Sequence, residues 1–132
     1  ALQQGVAAHK AGKLQDAERL YKAILKFQPL HPDANHNLGV LAVSVGKVGD
    51  ALPFFKVALG SNPKQGQFWL SYIDALMKVG QLDVAREVLQ QGKDTGLTGD
   101  KVDQLIKKEK VFLQKYLQVL YLFIKAKKIL KK

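Results

Sequence analysis

Residues 32–65 read PDANHNLGVLAVSVGKVGDALPFFKVALGSNPKQ, and this stretch decides the fold. Pro32 suits the first turn of a helix, where its missing N–H costs nothing. Leu38, Leu41, Ala42 and Val45 follow at helical spacing. Gly46 ends that helix, and Gly49 is expected in or beside the turn. A second helix is expected from about Asp50, with Ala51, Phe54, Phe55, Ala58 and Leu59 on one face. Asn62-Pro63 stops it, because the residue before proline disfavours helical dihedrals. The stretch is therefore a helical hairpin.

Outward from this hairpin, the same residues recur at a spacing of 34. Gly5 matches Gly39; Gly12 matches Gly46 and Gly80; Ala17 matches Ala51 and Ala85. Tyr21 matches Phe55 and Leu89, Ile24 matches Ala58, and Pro29 matches Pro63. The first unit thus has a Gly12 turn, then Ala17, Leu20, Tyr21, Ile24 and Leu25, then Gln28-Pro29. The third has Trp69, Tyr72, Ile73 and Leu76, the Gly80 turn, then Leu82, Ala85, Val88 and Leu89. Ala17, Ala51 and Ala85 fall where the two helices of a hairpin approach, and a larger side chain there would push them apart. Tyr21, Phe55 and Trp69 are expected to fill the space between neighbouring hairpins. No hairpin buries its apolar face alone, so stacking supplies the core. The fold expected is all-α, an α-solenoid of helix-turn-helix repeats.

These residues resemble the tetratricopeptide repeat family, whose 34-residue pattern has W-x2-L-G-x2-Y in helix A and A-x3-F-x2-A-x4-P in helix B. The second unit carries Leu38-Gly39, then Ala51, Phe55, Ala58 and Pro63; the first carries Ala17, Tyr21, Ile24 and Pro29. The third departs from the pattern, with Ile73 at the glycine position, Gly92 at the second small position and Leu97 at the proline position, as terminal repeats often do. The resemblance implies three repeats over residues 1–98 (about 1–31, 32–65 and 66–98). The second and third units are also similar to tetratricopeptide segments of large bacterial proteins.

The formal net charge of +10 sits in the tail. Residues 1–100 carry 11 Lys and Arg against 9 Asp and Glu, whereas residues 101–132 carry 10 Lys against Asp103 and Glu109. Gly96-Leu97-Thr98-Gly99 breaks the third unit, with Asp100 expected as N-cap and Asp103 at N3. Residues 99–132 then read as one long basic helix. Val102, Leu105, Ile106, Phe112, Leu113, Tyr116, Leu117 and Leu120 form an amphipathic stripe, read in its first half as a cap over the third hairpin. Val119 to Ile124 is apolar all round, which a cap does not need. Pairing with another copy of the chain through Leu117, Leu120, Tyr121, Phe123 and Ile124 ranks first. The cut start of a following domain ranks second and an anionic membrane surface third. The lysines lack the aromatic or glycine-rich arrangement that base contact needs, so nucleic acid is disfavoured.

The resemblance also implies that each helix A lines a concave surface. It places Val6, His9 and Lys10 there from the first unit; His36, Asn37, Val40 and Val43 from the second; and Leu70, Asp74 and Met77 from the third. Peptide-binding members of the family hold a terminal carboxylate between Lys, Asn and Arg. Of the matching positions, Leu2, Val6, Asn37, Gln67 and Ser71, only Asn37 fits, so that mode of capture is not expected. A partly apolar groove suits the apolar face of a helix better. For each aliphatic residue in the list, helix-packing core is an equally good reading.

Nothing in the sequence carries catalytic chemistry. His9, His31 and His36 lack metal-ligand spacing, and no phosphate loop or nucleophile elbow occurs. The acids are scattered over separate helices. No cofactor is expected. The absence of cysteine suits a reducing, cytoplasmic setting, and the start of the chain resembles an excised fragment, with no secretory signal. The function expected is a non-enzymatic scaffold that binds a peptide or helix. The alternatives are a homo-oligomerising structural element and a regulatory fragment of a larger multidomain bacterial protein.

Overall fold

A computed structural model describes residues 1–97 and 99–130, without the side chains at 100, 101, 105, 109, 112, 113 and 116. All described elements are helices: α1 (Leu2–Lys10), α2 (Leu14–Phe27), α3 (Pro32–Ser44), α4 (Val48–Ser61), α5 (Gly66–Lys78), α6 (Leu82–Asp94) and α7 (Asp100–Leu130). The chain divides into two units, Ala1–Leu97 and Thr98–Lys132. In the first, α1/α2, α3/α4 and α5/α6 are hairpins. Each stacks on the next through α2 against α3 and α4 against α5, and α1, α3 and α5 lie side by side. This is the α-solenoid expected.

The turn chemistry repeats with the sequence. Gly12, Gly46 and Gly80 adopt φ of 78°, 82° and 80°, a left-handed conformation that a side chain would strain. Each lets the next residue donate back to the helix just ended: Lys13 to the Ala8 carbonyl, Lys47 to Ala42 and Gln81 to Leu76. This is the bonding of a Schellman cap. Gly49, expected at the turn, lies inside α4, which begins two residues earlier than expected, at Val48. The left-handed Gly46 completes the reversal by itself, so the chain re-enters the helix at once. Pro53 also lies within α4; the N–H it lacks would have served the carbonyl of exposed Gly49.

The core is built in tiers. Ala17, Ala51 and Ala85 are all buried. Ala17 and Tyr21 pack with Leu38 and Leu41 of the second hairpin, and Ala51 and Phe55 pack with Ala75 of the third. The inter-repeat turns are tied by a second recurring device. Asn35 Nδ2 donates to the Pro29 carbonyl at 3.0 Å, and Trp69 Nε1 donates to the Pro63 carbonyl at 2.7 Å. Donors and acceptors are each 34 residues apart, so one tether is made by two different side chains. At the start of α3, His31 Nδ1 accepts from the Ala34 N–H at 3.1 Å, as an N-cap does.

The second unit is the single helix α7. Asp100, expected as N-cap, is already helical, and the Gly99 carbonyl accepts from the N–H groups of Val102 and Asp103. With φ of 106°, Gly99 turns the chain into the helix one residue early. Thr98, Lys131 and Lys132 lie outside the described residues, as do the side chains of Leu105, Phe112, Leu113 and Tyr116, four of the eight residues of the expected stripe. Among the described residues no helix is long and apolar enough to cross a membrane.

Candidate peptide-binding face

The face made by α1, α3 and α5 is centred on His36. Its ring is half-buried against two aromatic side chains, with centroids 5.4 Å from Phe55 and 4.8 Å from Phe68. Its Nε2 is 2.7 Å from Ser71 Oγ on α5, and Ser71 Oγ also accepts from Gln67 Nε2 at 3.1 Å. A short polar chain therefore links α3 to α5 in the order His36, Ser71, Gln67. Burial holds the His36 pKa below its ordinary value, opposed by the Asn37 hydrogen bond and the Asp33 charge. The same cause raises the Tyr21 phenol, opposed by Asn37. Burial thus favours the neutral form of each group.

Around this chain the expected groove residues fall into three kinds. His9, Leu70 and Asp74 are half-buried and Lys10 is exposed, with Asp74 paired to Lys78 at 3.0 Å. Val6 is half-buried against the Ala17–Tyr21 cluster, and Val40 and Val43 are half-buried against the Ala51–Phe55–Ala75 cluster. These three valines serve the core and the surface at once. Met77 is 5% exposed. It belongs to the packed interior and not to an open wall, since a side chain of this size gains most by full burial. On α7, Leu117, Leu120, Tyr121, Phe123 and Ile124 are all exposed. Among the described residues no three His, Asp or Glu side chains gather as metal ligands would.

Sequence reasoning missed the joining of Ser71 and Gln67 into one chain with His36. A signal was present: Gln3, Asn37 and Ser71 are polar at the same register position of successive A helices. Gln67 and Ser71, two of the five positions matched to terminal-carboxylate capture, bond to each other.

Two family models described as tetratricopeptide repeat match the chain, over residues 2–66 and 42–106. The chain belongs to the tetratricopeptide repeat family. It is 33% identical over 104 residues to the regulatory protein RapD of Bacillus subtilis, covering 69% of this chain and 28% of RapD. It thus spans less than a third of that curated relative. Among solved structures, it is similar to the first tetratricopeptide domain of Spaghetti (RPAP3) bound to the HSP90 peptide SRMEEVD, with a TM-score of 0.74 at 16% identity, covering 85% of this chain and 89% of that one. It is also similar to the Yersinia enterocolitica secretion chaperone SycD in complex with a peptide of YopD, with a TM-score of 0.68 at 16% identity, covering 86% of each chain. At such identities the likeness shows the fold alone.

Proposed function

We propose that residues 1–97 form a non-enzymatic scaffold that receives a peptide or a helix on the face of α1, α3 and α5. The observation that carries this reading is the polar chain through His36 and Ser71. It is flanked by half-buried Val6, Val40, Val43 and Leu70. Apolar side chains beside a few fixed polar groups suit the recognition of an amphipathic helix or extended segment. The Spaghetti and SycD domains, each in complex with a peptide, support the reading by fold. The uncharged pair Gln67–Ser71 argues against capture of a terminal carboxylate.

The test is selection of binders to the whole chain from a displayed peptide library, followed by NMR mapping of the bound site. Shifts centred on Val40, Leu70 and Asp74, together with roughly tenfold or greater loss of affinity on Val40→Asp, support the face. Shifts confined to α2, α4, α6 or α7 would refute it. A second reading, the repeat segment of a larger regulatory protein, is favoured only by the likeness to RapD. It is tested by whether the parent reading frame encodes a further domain.

A further inference from the structure

Helix α7 carries exposed apolar side chains, Leu117, Leu120, Phe123 and Ile124, with Phe123 60% exposed and Lys127 Nζ 5.5 Å from the centroid of its ring. At alternating spacings of three and four, the helix runs Ile106, Glu109, Leu113, Tyr116, Leu120, Phe123, Lys127, Leu130. This is the heptad spacing of a coiled-coil seam, sustained over more than three heptads. Leu117, Val119 and Ile124 flank it and widen the apolar stripe. Only two seam positions are charged, Glu109 and Lys127, and they have opposite signs.

The two charges lie equally far to either side of Gln118. The same midpoint relates Tyr116 to Leu120, Leu113 to Phe123 and Ile106 to Leu130. We propose that α7 is a self-recognition helix that pairs antiparallel with α7 of a second copy of this chain, centred on Gln118. In that register every seam layer joins one position of each heptad class, apolar against apolar, and Glu109 of each copy falls opposite Lys127 of the other.

Other arrangements lose this match. A parallel pair sets Glu109 beside Glu109 and Lys127 beside Lys127 within the seam, where like charges are costly. An antiparallel pair slipped by one heptad puts Glu109 opposite Leu120, or Lys127 opposite Tyr116, leaving a charge facing an uncharged residue. Charged seam residues thus select register and orientation, a known use of polar seam positions. The paired region, residues 106–130, is about 37 Å long at 1.5 Å per residue. The remaining lysines from Lys107 to Lys128 lie off the seam, with Lys110 at its flank. An anionic membrane is the competing occupant, but an interfacial helix separates charged from apolar faces. Here Tyr121, Leu122 and Ile129 lie on the side that the seam leaves to solvent.

The experiment is light scattering of the whole chain over a wide concentration range, with circular dichroism to verify helix content. The expected result is a dimer that dissociates on dilution. Phe123→Asp makes it monomeric with the melting of the repeats unchanged. Glu109→Lys weakens the dimer roughly tenfold or more, and adding Lys127→Glu in the same chain restores it. Because the chain has no cysteine, a mixture of Tyr116→Cys and Leu120→Cys chains forms a mixed disulfide on mild oxidation, while Leu120→Cys alone does not. A chain that stays monomeric throughout overturns the proposal, including one that binds phosphatidylserine vesicles as a monomer. So does a dimer unmoved by Glu109→Lys, or one cross-linked by Leu120→Cys alone.

Discussion

A Cβ added to Gly39 would clash with Cε1 and Cδ1 at the edge of the Phe55 ring, and one added to Gly5 would lie 2.5 Å from Tyr21 Cε1. At the equivalent third-repeat positions, Ile73 stands for the glycine and Leu89 for the aromatic, so volume has moved from helix B to helix A. Gly39→Ala is therefore expected to lose roughly 1–2 kcal/mol, overpacking outweighing the gain in helix propensity. On a Phe55→Leu background the same change is expected to be neutral or stabilising. Urea unfolding of the double-mutant cycle checks this, and equal effects on both backgrounds would sink it. His36 carries a pH dependence. Its folded-state pKa is held below 6.5 by burial, so the unfolded chain takes up the proton first. Stability from the neutral ring is intact above the ordinary histidine value and declines as pH falls through it. The urea midpoint is expected to drop more steeply for the natural chain than for His36→Gln between about pH 7.5 and 5.5. Matching slopes would show that the ring does not titrate differently on folding.

At the scale of elements, two glycines three residues apart have opposite roles. Gly46 has φ of 82°, whereas Gly49 has ordinary helical φ and open space at its Cβ position. Gly46→Ala is expected to cost about 1 kcal/mol or more, and Gly49→Ala to add about 0.5–1 kcal/mol. Thermal melts of the two variants should shift in opposite directions; a shared direction would mean that the turn is not set by Gly46. The tether into the inter-repeat turn belongs to this scale too. Asn35→Ala removes donors to the Pro29 and His31 carbonyls and is expected to cost about 1–2 kcal/mol, read by chemical unfolding. The positions of hairpins and turns were legible from glycine, proline and alanine spacing. The start of α4 was not, because two glycines near one turn are alike as letters and differ only in dihedral angle. The Asn35 tether was not legible either. Asparagine and tryptophan share no hydropathy, only an N–H placed to reach a carbonyl.

Across the whole repeat unit, α3/α4 packs against a hairpin on both sides and α1/α2 against one. Native-state hydrogen exchange is expected to show the slowest amides in α3 and α4 and faster ones in α1. Uniform protection would mean that the repeats unfold as one block. Phe123→Asp on α7 should leave this profile unchanged, which separates the fate of the repeats from that of the tail.

The sequence by itself determined the family, the hairpin count and the tiers of the core. Those depend on local constraints, a left-handed turn or a side-chain volume, repeated at a fixed period. Tertiary structure alone decided which helix A residues remain open. Val43 and Met77 share a register position, yet one is half-buried and the other buried. It also decided that His36 meets Ser71, 35 residues away. That meeting depends on how α3 and α5 are rotated and spaced by the helices behind them. No period along the chain carries this information.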